Sequence, residues 1–286
     1  MTRTARPTAI PPHRSTPLRL LCILAHPDDE SLGLGGILAK YGAEGVETHL
    51  VTATRGERGW FGAPEDNPGL GALGRIRERE LRDAASVLGI REVILLDYVD
   101  GEVDKADQNE LLLQLVEQIR RIRPDVVVTF DHNGVYGHPD HIAVTRAATA
   151  AIVAAADANF HRCTPYAPHT VSKLYYFAWT QEVRQAYEQA FGELRMQIDG
   201  VERQAVPWPH WTVSTWVDTS AHWKRVWKAI RCHRSQLPGY QKLLDLPNDY
   251  HQALWGRLTF HRVYTLVPAG DREDDLFDGV RDRGAS

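Results

Sequence analysis

The alternation of short apolar runs with amphipathic segments over residues 18–180 most constrains the fold of this 286-residue chain. The runs "LRLLCILA", "VETHLVTAT", "EVILLDY", "PDVVVTF" and "VSKLYYFAW" are typical of buried strands, and a helical pattern such as "RIRERELRDAASVLGI" follows each of the first four. Strands joined through helices make right-handed crossovers, which build a parallel sheet covered by helices on both faces. We therefore predict an α/β fold with a mostly parallel sheet.

The pattern also divides the chain. Residues 1–17 combine Pro, Arg and Thr without periodicity, which predicts a flexible tail, and residues 18–180 form the expected core. The pattern weakens over 181–270, where one helix ("SAHWKRVWKAIRCHRSQ") and one strand ("GRLTFHRVYTLV") indicate a smaller α+β part that completes the substrate site. Residues 271–286, acidic and Gly-containing, are predicted to be a second flexible tail.

Composition excludes several classes of function. The formal net charge is −4 and no run of Lys and Arg forms a basic patch, so we expect no nucleic-acid partner. No apolar stretch approaches the ~20 residues of a membrane span, and residues 1–17 lack the apolar core of a signal peptide, which predicts a cytoplasmic protein. The three cysteines, Cys22, Cys163 and Cys232, lie far apart and suggest neither disulfides nor a cysteine metal site.

Polar residues cluster where each predicted strand ends. "HPDDE" follows the first strand, "TRGERGW" the second, "DYVDGEVD" the third and "DHNGVYGHPDH" the fourth. In an open parallel sheet, ligands bind outside the carboxyl ends of the strands. We expect these four loops to meet at one functional rim.

The cluster "HPDDE" has the residue types of a metal site. Pro27 disfavours the helical region for His26, so the histidine ends the strand extended and the chain turns directly after it. His26 and Asp29 can then face one point as zinc ligands, with Asp28 beside them. The alternative is that Asp28 or Asp29 caps the following helix.

The cluster "HPDH" repeats this composition after the fourth strand. Pro139 suits a first helical position, and His138 and His141, three residues apart, lie on one helix face. His141 would complete a His2Asp site that leaves a fourth position open, as in catalytic zinc centres. Such a site also accepts Fe2+ or Co2+.

The glycines of "GLGG" raise a competing interpretation, a non-catalytic nucleotide-binding protein of Rossmann type. Their spacing does not match G-x-G-x-x-G, and the acids Asp28, Asp29 and Glu30 would repel a pyrophosphate. Close packing of helix on strand explains these glycines better.

The chain resembles the LmbE/PIG-L family of zinc-dependent N-deacetylases in "AHPDDE", "RIREREL", "DGEVD", "DHNGVYGHPDHIAV" and, more weakly, "WKAIRCHRSQ". The stretch "NGVYGHPDH" is most similar to the mycothiol-type branch. The resemblance implies a Rossmann-like core and a zinc-dependent hydrolase that removes the N-acetyl group from an N-acetylglucosamine-type amino sugar or glycoside. It leaves open an amidase that acts on a thiol conjugate of such a sugar.

The resemblance also implies roles for individual residues. His26, Asp29 and His141 match the zinc ligands and Asp28 the general base. His138 matches a histidine that stabilises the oxyanion or protonates the amine. The remaining matches are Asp140 as a modulator of His138, Tyr136 as the group that polarises the carbonyl, Arg77 and Asp100 as sugar-binding residues, and His233 as a residue that approaches the site from the C-terminal side.

The sequence leaves open the oligomeric state and the role of three tryptophans. Family members are often oligomeric, so a homo-oligomer is compatible with the sequence, which has no clear interface stripe. The three tryptophans Trp208, Trp211 and Trp216 lie in a region that matches no family motif, and packing is favoured over sugar stacking for them.

Overall fold

The computed structural model describes residues 16–160, 164–193, 195–198 and 200–284. Seven strands form one sheet, and two form a separate hairpin. The strands are β1 Arg19–Leu24, β2 Glu47–Thr54, β3 Glu92–Tyr98, β4 Val126–Thr129, β5 Lys173–Phe177, β6 Arg195–Ile198, β7 Val201–Gln204, β8 Thr215–Asp218 and β9 Arg257–Thr265. The sheet order is β3-β2-β1-β4-β5-β9-β8, and β6 pairs with β7.

The first five strands are parallel, as predicted, and the two late strands extend the same sheet in the antiparallel sense. Apolar residues fill the central strands: β1 is buried from Leu20 to Leu24 and β4 over its whole length. A strand buried on both faces needs such a continuous apolar run, which is why these strands are recognisable in the sequence. The predicted fold class is confirmed.

Helices connect the parallel strands and cover the sheet. The helices are α1 Asp29–Leu32, α2 Gly35–Ala43, α3 Leu70–Leu88, α4 Gln108–Ile122, α5 Gly134–Gly137, α6 Pro139–Ala156, α7 Gln181–Phe191, α8 Trp223–Ile230, α9 Gln241–Leu244 and α10 Asn248–Trp255. Within the part of the chain that the structure describes, none of them is long and apolar enough to cross a bilayer.

The strand order reverses direction between β1 and β4, which lie side by side although β2 and β3 separate them in the chain. Such a reversal opens a crevice at the carboxyl ends of the two strands, because the connections that follow them run to opposite sides. The loops that carry "HPDDE" and "HPDH" leave β1 and β4 at this crevice. The topology therefore brings the two predicted metal-binding clusters together.

The structure differs from the sequence prediction in residues 271–284. The sequence predicts a flexible tail there, yet Leu276, Phe277 and Val280 are buried in the core. Glu273 anchors the segment: its carboxylate accepts from Lys173 Nζ at 2.6 Å and from the Tyr175 hydroxyl at 2.6 Å. The acidic composition of this segment suggests a solvated tail, but Lys173, the buried cation that pairs with Glu273, lies 100 residues away in sequence.

We expect Glu273→Gln to lower the free energy of unfolding by about 3–5 kcal/mol, because it leaves buried cations unpaired. The side chains of Lys173 and Glu273 are both fully buried, and Arg262 also contacts Glu273, at 2.8 Å. The matched control is Glu193→Gln, which removes an exposed ion pair with Arg195 and should change stability by less than ~1 kcal/mol. Urea unfolding of the metal-free protein measures the free energy of unfolding of both variants. Equal losses in the two variants would contradict the role of Glu273 as a buried anchor.

Candidate metal centre and catalytic pocket

The loop after β1 brings a histidine and an aspartate together. The backbone N–H groups of Ala25 and His26 donate to Oδ2 of Asp29, at 3.3 and 2.8 Å. These bonds fold the Asp29 carboxylate back over the end of β1, so that it lies beside the His26 ring. Asp28 occupies the N-cap position of α1 without a capping hydrogen bond from its side chain. The helix-capping alternative is therefore wrong for Asp28, and Asp29 binds N–H groups that precede the helix.

The first turn of α6 supplies a third side chain to this group. His141 is 2% exposed, and its ring stacks on Phe130 with centroids 3.9 Å apart. Its Nε2 lies 3.2 Å from Nδ1 of His26 and 3.5 Å from Oδ1 of Asp29. The other oxygen of the same carboxylate, Oδ2 of Asp29, lies 3.6 Å from Nδ1 of His26. The three residues predicted as metal ligands thus lie together.

These spacings fit a tetrahedral metal. Zinc–nitrogen and zinc–oxygen bonds of about 2.0–2.2 Å place neighbouring ligand atoms about 3.3–3.6 Å apart in a tetrahedron. The observed separations of 3.5 and 3.6 Å lie within that range, and the 3.2 Å between the two imidazole nitrogens lies just below it. Two imidazole nitrogens and one carboxylate oxygen form a donor set that suits a divalent transition metal and leaves one coordination position for a small molecule.

Two carboxylates hold the other nitrogen of His26. Its Nε2 lies 3.0 Å from Oδ2 of Asp140 and 3.1 Å from Oδ1 of Asp100. Burial opposes the charged ring, but hydrogen bonds with Asp100, Asp140 and Asp29 raise the pKa of His26 well above its ordinary value. A carboxylate behind a ligating histidine orients the ring and makes its other nitrogen a stronger ligand. Nδ1 of His26 is therefore held toward Asp29 and His141.

Backbone donors fix Asp140 in turn. The N–H groups of Gly101 and Val103 donate to its carboxylate at 2.7 and 3.1 Å, and the residue is fully buried. His26, Asp100, His138 and Asp140 also form a group whose ligand atoms lie within 4.8 Å of one another. Since the oxygens of Asp140 are already bonded to these backbone N–H groups and to His26, we interpret this second group as support for His26.

Asp28 lines the same pocket and is held from two sides. Its Oδ2 accepts from Nη2 of Arg77 at 3.0 Å and from the hydroxyl of Tyr240 at 2.6 Å. The residue has a left-handed backbone, with φ of 115°. Burial raises the pKa of Asp28, and the positive charge of Arg77 opposes that rise.

A cavity of about 400 Å³ opens over these residues. His26, Asp28, Asp29 and His141 contribute to its lining together with a mainly apolar surface. Five rings dominate that surface and are called the aromatic wall here: Phe177, Trp179, Tyr187, Phe191 and Tyr240. The volume lies within the ~300–1,000 Å³ of pockets that bind small organic ligands.

Residues 21–152, which contain all the metal-site side chains described above, match the family described as GlcNAc-PI de-N-acetylase, PIG-L. A 1D-myo-inositol 2-acetamido-2-deoxy-alpha-D-glucopyranoside deacetylase from Streptomyces griseus is 36% identical over 92% of this chain and 89% of its own length. The enzyme of the same name from Geodermatophilus obscurus is 35% identical over 92% of this chain and 98% of its own. The chain belongs to this de-N-acetylase family.

The fold agrees with the family assignment. The crystal structure of the conserved protein TT1542 from Thermus thermophilus superimposes with a TM-score of 0.62 at 28% identity. The match covers 88% of this chain and 97% of the other. The similarity thus extends past the family match at residue 152 into the late strands of the sheet.

The two residues expected to bind sugar are both buried at the edge of the cavity. Asp100 and Arg77 both line the cavity, but each already has partners. Besides Asp28, the Arg77 guanidinium donates to the carbonyl oxygens of Gly56 and Pro27, at 2.7 and 2.5 Å. Arg77 is 3% exposed, so its first effect is to hold Asp28 and the loops around it.

An irregular turn presents Tyr136 and His138 to the cavity. Gly134, Val135 and Gly137 all have positive φ, of 64°, 66° and 89°, so α5 is not a regular helix. Ring centroids of Tyr136 and His141 lie 5.4 Å apart, and those of His26 and His138 lie 4.6 Å apart. Both predicted catalytic side chains therefore lie against the ligand group.

Sequence reasoning missed Tyr240 and the role of Glu30. Glu30 Oε2 accepts from the backbone N–H of Asp28 at 2.9 Å, and its Oε1 lies 2.8 Å from Nε2 of His233. His233, expected near the site, is thus buried behind it rather than in the cavity. Tyr240 follows no motif, and it meets Asp28 across 212 residues of sequence. The acidic side chain after "HPDD" was the available signal for Glu30.

The three tryptophans of residues 206–216 lie outside the cavity lining. Trp208 donates from Nε1 to Oδ2 of Asp131 at 2.7 Å and stacks on His261. Trp216 lies in β8, and Trp211 is 85% exposed. The packing interpretation fits Trp208.

Proposed function

We propose that this chain is a zinc-dependent N-deacetylase that hydrolyses the acetamide of an N-acetylglucosamine-type glycoside. The observation that carries the proposal is the triangle of His26, Asp29 and His141 donor atoms with the Asp28 carboxylate in the same cavity. Relatives at 35–36% identity over most of both chains are deacetylases of a 2-acetamido-glucoside by name, which supports this substrate class.

His26, Asp29 and His141 would hold the metal. A bound zinc ion supplies Lewis acidity, which polarises an amide carbonyl and acidifies water at neutral pH. Asp100 and Asp140 fix the tautomer of His26, since Nε2 must carry the proton that both carboxylates accept.

Asp28 is the proton acceptor in this proposal. Arg77 and Tyr240 both bind Oδ2, which leaves Oδ1 for the proton of the attacking water. Burial raises the pKa of Asp28 and so strengthens it as a base. The same carboxyl then gives the proton to the amine nitrogen as the C–N bond breaks, and the products are acetate and a free amino sugar.

The hydrogen bonding of His138 favours one of its two expected roles. Its Nδ1 accepts from the backbone N–H of Asp140 at 3.2 Å, so a neutral ring carries its proton on Nε2. Burial and the neighbouring His26 and His141 lower the pKa of His138 to about 3, which supports the neutral form. A neutral ring donates a hydrogen bond to a developing oxyanion more readily than it protonates an amine.

Tyr136 is placed to assist at the same oxygen. Its ring lies against His141, and burial followed by the nearby carboxylates raises the pKa of its hydroxyl far above the ordinary value. The hydroxyl thus keeps its proton and can donate a hydrogen bond to the carbonyl. Asp100 and Arg77 line the cavity and would bind sugar hydroxyls.

Acetate release from methyl N-acetylglucosaminide and from N-acetylglucosaminyl-inositol tests the proposal. We expect turnover with one zinc per chain, loss of turnover after chelation, and recovery when zinc is returned. Release of an amine from a thiol-conjugated amino-sugar amide, without acetate release from either acetylated sugar, would instead favour the amidase alternative. Metal-replete protein that hydrolyses none of these amides would refute the proposal.

A further inference from the structure

The aromatic wall is a continuous surface. Ring centroids of Trp179 and Tyr187 are 4.3 Å apart and stacked, and those of Tyr187 and Phe191 are 5.8 Å apart. Phe177 and Tyr240 extend the row at its two ends, at 6.2 Å from Trp179 and 5.6 Å from Phe191. Because neighbouring rings stack on one another, the wall offers a ligand a continuous row of apolar ring edges rather than isolated rings.

The hydroxyl groups of the wall are occupied elsewhere. Tyr187 donates to the carbonyl oxygen of Leu32 at 2.5 Å, and Tyr240 donates to Asp28 at 2.6 Å. Burial raises the pKa of the Tyr187 hydroxyl, so it stays a neutral donor. The ring carbon atoms that border the cavity are left for apolar contact.

The strand order separates this wall from the polar end of the cavity. Asp100 follows β3 at one edge of the sheet, whereas Phe177 ends β5 and Trp179 follows it. The metal-ligating loops leave β1 and β4, which lie between β3 and β5. A substrate amide at the metal centre therefore has Asp100 on one side and the Phe177 and Trp179 end of the wall on the other.

An amide has two substituents, and their chemistry fits these two sides. The nitrogen carries a hydroxylated sugar, which Asp100 and Arg77 suit. The carbonyl carbon carries the acyl chain, which would lie on the wall. A two-carbon acetyl group covers little of a wall of five rings in a cavity of about 400 Å³.

We propose that the aromatic wall is an acyl-chain site and that the enzyme prefers N-acyl groups longer than acetyl. This inference rests on the proposed amide hydrolysis and deepens it, since it names the acyl substituent. Burial of one methylene stabilises a complex by about 0.8 kcal/mol, or roughly fourfold in affinity. Each methylene added to the acyl group should therefore raise kcat/KM by about fourfold until the wall is covered.

The experiment compares methyl glucosaminides that carry N-acetyl, N-butanoyl, N-hexanoyl and N-octanoyl groups, with free amine as the readout on the zinc-loaded enzyme. A second series keeps the acetyl group and lengthens the alkyl aglycone. Rising kcat/KM along the first series supports the proposal. A flat or falling first series, or a rise confined to the second, overturns it while the deacetylase function stands.

Two variants locate the effect. Leu32 lines the cavity and is half-buried, so Leu32→Phe should fill space beside the wall. We expect a roughly 16-fold loss of kcat/KM for the hexanoyl substrate, equivalent to two methylenes that no longer bury at about fourfold each, and a smaller loss for the acetyl substrate. The control Leu70→Phe makes the same change at a leucine that is 54% exposed and outside the cavity lining, and it should alter neither value. Equal losses on both substrates in Leu32→Phe would contradict the proposal.

A binding measurement separates failure of the acyl site from failure of the hydrolysis. Calorimetry of the zinc-loaded protein with acetate and with hexanoate should show tighter binding of hexanoate and a more negative heat-capacity change. Hexanoate binding without hydrolysis of any amide would refute the proposed function and keep the acyl site. Equal binding of the two anions would refute the acyl site.

Discussion

Replacement of Asp28 by asparagine should lower kcat by about 10²–10⁴-fold, the usual contribution of a positioned general base. The amide keeps the shape of the side chain and can still accept from Arg77 and Tyr240, but it cannot take a proton from water. The metal content should remain that of the wild type, because Asp28 is outside the His26, Asp29 and His141 triangle. Acetate release and metal analysis on the same preparation measure both properties.

The matched control is Asp66→Asn, which makes the same chemical change on an exposed side chain far from the cavity lining. This variant should keep wild-type turnover and metal. Turnover of Asp28→Asn within tenfold of the wild type would remove Asp28 from the role of base. A loss of metal from Asp28→Asn would show instead that Asp28 supports the ligands.

Replacement of His141 by alanine should abolish both metal retention and turnover. Loss of a hydrogen-bonded partner behind a ligand costs about 10–100-fold in metal affinity or activity, so loss of the ligand itself should cost more than ~100-fold in affinity. The fold should persist, because α6 keeps its other buried residues and only a small cavity forms beside Phe130. Zinc titration with a competing chelator measures the affinity, and circular dichroism checks the fold.

The control for this variant is His210→Ala, since the His210 side chain is exposed and pairs with the exposed Glu182 outside the cavity lining. It should bind zinc as the wild type does. Metal retention by His141→Ala at wild-type affinity would exclude His141 as a ligand. Together, Asp28→Asn and His141→Ala distinguish a residue that moves protons from one that holds the metal.

The parallel half of the fold was predictable because its signals are local. The run from Leu20 to Leu24 is apolar since β1 is buried on both faces, and α4 begins at an Asp107 cap that accepts from two backbone N–H groups. The clusters around His26 and His141 stand out because their residue types are rare at the mouth of a core. Each of these features can be read within about ten residues of sequence.

The remainder depends on contacts between distant segments. The strands of the hairpin, β6 and β7, have four residues each, which is too short for a period to mark them in the sequence. Glu273 finds Lys173 across 100 residues, and Tyr240 finds Asp28 across 212. The contact of Asp100 with His26 likewise follows from the position of β3 in the sheet, which the strand sequence alone does not specify.

The left-handed backbone at Asp28 and at Val135 has a consequence for how this protein can change. Neither residue is a glycine, and such conformations cost about 1–3 kcal/mol each in folding free energy. Glycine would relieve that cost at either position. At position 28 this gain would be offset, because glycine would also leave the buried Arg77 without its carboxylate; the ion pair thus holds the proton acceptor in place against its conformational cost.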